Sequence, residues 1–293
     1  MPTRGVPGQR TASISTRCRG VQMPKRCLSL LPLLSLFVLL PLLGVEEEGK
    51  FPFTDHDSFE ARIETPSEFL GFPLGSRFTP HRDVARYLRH VASNSPRAHL
   101  QVQGDSGEGR ELLLLAVSSE ENIARLDDIQ RLQSLLADPR RLGSDVDRIL
   151  DDLPAVVWLS YNVHGNEASG TEAALRTIYH LVDGSDDGIA TIRANAVVLI
   201  DPLLNPDGRE RYLNWYQQVR TRDGNPDPAS REHDEPWPGG RGNHYYFDLN
   251  RDWAWASQPE TKARLPHYLK WQPLVHVDFH EMSAESTYFF FPP

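Results

Sequence analysis

The sequence predicts an α/β fold with a mixed, largely parallel central sheet flanked by helices. Three observations predict it. The centre of the chain reads as strand, helix, strand, over Ala155–Tyr161, 169–182 and Ala196–Asp201. Both strands are continuously apolar rather than alternating, which implies burial on two faces and helices covering each side. The residues best suited to chemistry, namely His164 with Glu167, the turn Asn205-Pro206-Asp207-Gly208, and His280, all follow the carboxyl end of a strand-like run. In sheets of this kind that rim gathers the reactive loops.

The start of the chain does not belong to that fold. Residues 1–44 contain six Lys or Arg and no Asp or Glu, and Lys25 and Arg26 precede a mostly apolar stretch, 28–43, broken by Ser29, Pro32, Ser35 and Pro41. A basic region before about 16 apolar residues matches a secretory signal better than a spanning helix, which needs about 20 without internal prolines. Export to the periplasm or the exterior is therefore expected, with translation starting at Met1 or Met23. An uncleaved membrane anchor over 28–43 is the alternative. The chain's 2 cysteines, Cys18 and Cys27, fall in this segment, leaving no thiolate for a disulfide or a metal downstream. Beyond residue 44 there are 25 basic and 40 acidic residues, a net charge near −15, which argues against nucleic acid or an anionic membrane surface as a partner.

Residues 45–80, rich in acid, Pro, Gly and Phe, read as an extended leader, and 81–293 as one domain. Val84, Tyr87, Leu88 and Val91 fall at i, i+3, i+4 and i+7, predicting a helix over 83–95 with Asp83 as its N-cap. A polar turn at 104–109 leads into a strand at 112–117. Ile123, Leu126, Ile129, Leu132 and Leu135 outline the next helix, with Ser118, Ser119, Glu120 and Glu121 suited to its N-terminus. After the central unit, 220–246 is a long loop rich in Gly, Pro, Asp, Arg and His, of the length that flanks a cleft or decorates a surface. Val275–Phe279 is a further strand, and 288–291 reads as a buried aromatic one. Trp253 and Trp255 are expected to pack beneath the site.

His164 and Glu167 with a distant His280 have the composition of a three-ligand zinc site whose fourth position stays open. Spacing alone is weak support. With 11 His and 40 acidic residues in 293, a His-x-x-acid pair arises by chance about once or twice, and His180 with Asp183 is read as such an inert pair. Order along the chain is more telling. His164-x-x-Glu167 after a strand, Asn205-Pro206-Asp207-Gly208, Arg220 twelve residues later, Asp248-Leu249-Asn250-Arg251-Asp252-Trp253, and His280 at a strand end follow one another.

In that order these segments resemble the zinc metallocarboxypeptidase family of the carboxypeptidase A type, in particular its exported bacterial members. The resemblance implies His164, Glu167 and His280 as ligands of one Zn2+, and Asp248 as the acid that orients a ligating imidazole. It implies Arg220, with Arg222 as the alternative, as the stabiliser of the oxyanion. Asn250 and Arg251 would grip the terminal carboxylate of a peptide or protein substrate. The ligands would also hold cobalt or manganese. The family's catalytic glutamate and its last strands lie well after the third ligand, so they are expected beyond Pro293, and the domain within 81–293 is expected to be incomplete. Glu281 and Glu285 are set aside as general bases, because neighbouring residues on a strand point to opposite faces. Two alternatives remain at this level: a zinc amidase or deacylase of N-acyl amino acids, and a truncated zinc- or peptide-binding fragment without turnover. Nothing in the sequence sets an oligomeric state.

Overall fold

The computed structural model describes residues 58–138, 140–141 and 146–282, all within one unit, Thr54–Pro293. The expected signal or anchor at 1–44, the first part of the leader, Glu285 and the aromatic strand at 288–291 lie outside the described residues. No helix among the described residues is long and apolar enough to cross a membrane.

The elements follow in the order α1 (Pro66–Leu70), α2 (His81–Asn94), β1 (Ala98–Asp105), β2 (Glu111–Val117), α3 (Glu120–Ala124), α4 (Leu126–Leu136), α5 (Val146–Asp152), β3 (Ala155–Tyr161), α6 (Ser169–Asp183), α7 (Asp187–Asn195), β4 (Ala196–Asp201), α8 (Pro206–Val219), α9 (Pro259–Trp271) and β5 (Val275–Phe279). The sheet order is β1-β2-β4-β3-β5. The strands β4, β3 and β5 run parallel to one another, while β1 and β2 form an antiparallel hairpin and β2 meets β4 antiparallel. The sheet is thus mixed, with its parallel half carrying the rim predicted to be reactive.

Period-two alternation sorts the core into two layers. Leu113, Leu115 and Val117 of β2, with Val198 and Ile200 of β4, face α2 and α6 and pack on Tyr87, Leu88, Leu175 and Ile178. Leu114 and Ala116, with Val197 and Leu199 and with Val156 and Trp158 of β3, face the other way onto Leu126 and Ile129 of α4 and Trp271 of α9. Each buried Val, Leu or Ile among them contributes about 1.5–3 kcal/mol.

Several local expectations shift. Helix α2 starts two residues earlier than its apolar stripe suggested, so Asp83 sits in its first turn rather than at the N-cap, where it pairs with Arg82 and Arg86. Ser119 does cap α3 through Asn122 N, but a break at Arg125 divides the expected single helix in two. Strand β1 has no apolar run; Val102 is exposed at the sheet's edge while the side-chain oxygen of Gln101 is buried, and only the pairing with β2 defines the strand. Gly104 is required there, because its φ is +154° and a Cβ would press on Ala263 of α9 at 2.9 Å. The leader contains α1, closed by a Thr65–Glu68 capping box, and is stitched to the end of α6 by the Asp183 carboxylate, which accepts from Ala61 N and Arg62 N at 2.9 Å each.

Candidate metal centre

The registers Ser160↔Asp201 and Tyr161↔Phe279 bring the carboxyl ends of β4, β3 and β5 level. The turn after β3 starts with Asn162, whose φ of +60° is tolerated by Asn better than by most residues. Its amide donates to the carbonyls of His164 and Glu167 at 2.7 Å each and gathers the turn around itself. Gly165 lies where a Cβ would overlap the backbone of Gly208, Arg209 and Gly240, so this turn packs directly on the start of α8. Asn205-Pro206-Asp207-Gly208 is accordingly a helix start rather than an isolated turn, with Asn205 accepting from Gly208 N and Pro206 in the first helical positions. Beneath it, fully buried Arg209 donates to Ala168 O, Thr79 O and Glu172.

His164, Glu167 and His280 converge, one ligand atom from each lying within 4.8 Å of the others. The two oxygens of Glu167 face the two imidazoles: Oε1 is 2.7 Å from His164 Nδ1, and Oε2 is 3.2 Å from His280 Nδ1. Behind His164, Nε2 lies 2.9 Å from Asp248 Oδ1. With the Nε2 proton donated to Asp248, His164 Nδ1 and Glu167 Oε1 face each other with lone pairs, an arrangement that needs a shared cation. Ligands about 2.0–2.2 Å from one tetrahedral zinc stand roughly 3.4 Å apart, so adjustments of about 1 Å close the set, and two imidazoles with one carboxylate are a zinc donor set. The residues fit the ion.

Electrostatics agree with that donor chemistry. Burial pushes the Glu167 carboxyl up, but the contact with His164, the hydrogen bond from Glu281 N and the two nearby imidazoles outweigh it and hold the group below the usual carboxylate range. Asp248 shows the same balance: burial raises it, and His164, Arg241 and Asn250 N lower it further than burial lifts it. Both are anions at neutral pH, as a ligand and a proton acceptor must be.

The other sequence-predicted residues separate into two groups. Asn250 sits in a short 3-10 turn, Leu249–Arg251, with Nδ2 3.4 Å from His280 Nε2; Arg251 follows it, exposed, and donates to Asn250 O. Arg220 is not brought to the cluster. It ends α8, whose 14 residues span about 21 Å, while the start of that helix packs on the ligand turn. Arg220 instead lines a cavity of about 340 Å³ with Arg77, Phe78 and Tyr216. The guanidinium at the site is that of Arg241, from the long loop: it donates to Asp248 Oδ2 at 2.9 Å and stands 3.4 Å from His164 Nδ1. Its only sequence signal was membership in that loop. Glu281 is occupied elsewhere, accepting from Ser169 N, Ser169 Oγ and Gly170 N at the start of α6. Trp253 packs over Arg264 at 4.1 Å, whereas Trp255 is exposed. A cleft of about 170 Å³ opens beside the cluster, lined by Tyr161, Glu167, Phe279 and His280 among others.

A family model described as zinc carboxypeptidase matches residues 84–290. Mouse carboxypeptidase D is 26% identical over 228 residues, covering 73% of this chain and 13% of that protein. The human protein is 25% identical over 200 residues, covering 67% of this chain and 11% of its own length. The chain therefore spans a small part of the curated relatives it matches. Among solved structures, carboxypeptidase A from Helicoverpa armigera superposes with a TM-score of 0.46 at 19% identity, covering 71% of this chain and 47% of that one. A metallo-carboxypeptidase from Burkholderia cenocepacia superposes with a TM-score of 0.42 at 18% identity, covering 68% and 40%. With the family model spanning well over half of its length, and with two imidazoles and a carboxylate gathered on the rim where that chemistry belongs, this chain is a member of the zinc carboxypeptidase family.

Proposed function

We propose that the chain takes part in zinc-dependent removal of C-terminal residues from exported peptides or proteins. The observation that carries this reading is the convergence of His164, Glu167 and His280, with Asp248 behind the first imidazole and Asn250 beside the last. Zinc, when bound, supplies Lewis-acid polarisation and a lowered pKa for water. The chain's own residues do the rest. Asp248 holds the Nε2 proton of His164 so that Nδ1 keeps its lone pair for the metal. Arg241 places a guanidinium beside the cluster and takes the oxyanion role first given to Arg220, a contact that strengthens as negative charge develops on the carbonyl oxygen. Asn250 and Arg251, next to one another on an exposed turn, present an amide and a planar fork to a free carboxylate. Export is part of the proposal and rests on the basic residues preceding the apolar stretch 28–43.

Zinc content and a pair of peptides test it. One equivalent of zinc and faster trimming of a C-terminally free peptide than of its amidated twin are expected. Equal rates on the two would contradict carboxylate recognition and favour an amidase, and zinc binding without trimming would favour a binding module.

A further inference from the structure

Strand β5 alternates His276 and Asp278 with Val275, Val277 and Phe279, and His280 follows directly after its end, within reach of Asp278. Asp278 Oδ2 lies 3.0 Å from His280 Nε2. Its second oxygen, Oδ1, is buried and has no hydrogen-bond partner among the described residues. The carboxylate is therefore not tied into the hydrogen bonding of the sheet or of α9. Arg264, a buried guanidinium from α9, interacts electrostatically with Asp278 and with Asp201. A carboxylate that is partly buried and hydrogen-bonded through one oxygen to a single imidazole has little structural reason to be there.

The arrangement repeats what surrounds His164. Each imidazole turns Nδ1 towards one oxygen of Glu167 and Nε2 towards an aspartate, at 2.9 Å for Asp248 and 3.0 Å for Asp278. At His280 there is a competitor: the Asn250 amide, a donor, stands 3.4 Å from the same Nε2. If Nε2 accepted from Asn250, the ring proton would sit on Nδ1 and block the metal. If Nε2 donates to Asp278, Nδ1 is free to ligate and the Asn250 amide is free for substrate. We propose that Asp278 is a second positioning carboxylate, which holds the Nε2 proton of His280 and so presents Nδ1 to the metal while releasing Asn250. This rests on the zinc-site reading above.

The test is zinc affinity, measured by competition with a chelator on the full chain, together with the visible spectrum of the cobalt(II)-substituted protein. Asp278→Ala should bind zinc about 10–100-fold more weakly, with altered cobalt bands, and Asp278→Asn, which keeps an accepting oxygen, should fall between it and wild type. Unfolding of the metal-free proteins separates this from a loss of fold. Should Asp278→Ala not fold, Asp278→Asn decides alone: a loss of threefold or more with shifted cobalt bands supports the proposal. Wild-type affinity and an unchanged cobalt spectrum in whichever variant folds overturn it while leaving the zinc site standing. A wild-type chain without stoichiometric zinc overturns both.

Discussion

The two imidazoles of the cluster are held in opposite ways. His164 is 3% exposed, lies on a turn clamped by Asn162 and pressed against α8 at Gly165, and has Asp248 fixed in turn by Arg241. His280 is 31% exposed, sits one residue past a strand at the sheet's edge, and leans on Asp278, whose second oxygen is buried without a hydrogen-bond partner among the described residues and which interacts electrostatically with buried Arg264. Both imidazoles thus have a carboxylate at Nε2, but the one behind His164 is tied down by further hydrogen bonds, whereas the one behind His280 has an unpartnered second oxygen and a buried charge nearby. Hydrogen bonds fix geometry within tenths of an ångström, whereas a field favours a charge without fixing its orientation. The His164 side should behave as a rigid anchor and the His280 side as the adjustable one.

The strongest break of this contrast is removal of the anchor. His164→Ala should lose stoichiometric zinc, a weakening beyond the roughly 10–100-fold typical of a lost outer contact, and full zinc content in that variant would sink the ligand assignment. His280→Ala should retain more residual affinity than His164→Ala, because its partner Glu167 stays held by Glu281 N at 3.0 Å. Next in size, Asp248→Asn should weaken zinc about 10–100-fold, and by more than Asp278→Asn does, as read by chelator competition.

A smaller effect probes the field behind His280. Burial pushes Asp201 up to about 6 against the lowering influence of Arg264 and of the Gln103 amide. A carboxyl raised in the folded state contributes fully below its unfolded value, near 3.9, and that contribution is lost as pH rises through about 6. Asp201→Asn should thus unfold in urea like wild type at about pH 4 and be more stable, by up to roughly 3 kcal/mol, at about pH 8. Equal stability of the two proteins at both pH values would show that Arg264 compensates the charge in full. The smallest expected effect is at Arg220: Arg220→Ala should leave zinc affinity unchanged, while Arg241→Ala lowers it through Asp248. An equal loss from both would return Arg220 to the site.

Much of this was legible beforehand where local chemistry and burial coincide. Ala155–Tyr161, Ala196–Asp201 and Val275–Phe279 are strands with the bounds the sequence suggested; the first two are predominantly apolar runs inside the sheet, and the third alternates polar and apolar residues along an edge. His164, Glu167, Asp248, Asn250 and His280 stand together as their order along the chain implied. The edge strand β1 was not legible, since polar residues interrupt its apolar ones and its definition is a neighbour. Arg220 misled because counting residues from Gly208 cannot reveal that α8 runs on to Val219 and carries its end away. Arg241 and Asp278 gave no motif at all; one is a loop arginine among several, the other one acid among 40.

By itself, then, the sequence determined the inner strands of the sheet, its reactive rim, the donor atoms and the family, because apolar runs, strand ends and ligand types are properties of short segments. Tertiary structure decided which arginine reaches the cluster, which carboxylate stands behind each imidazole, and how firmly each is held. Those depend on how long a helix continues and on which side chains a long loop and a distant helix deliver to the same few ångströms, and neither is written in any segment alone.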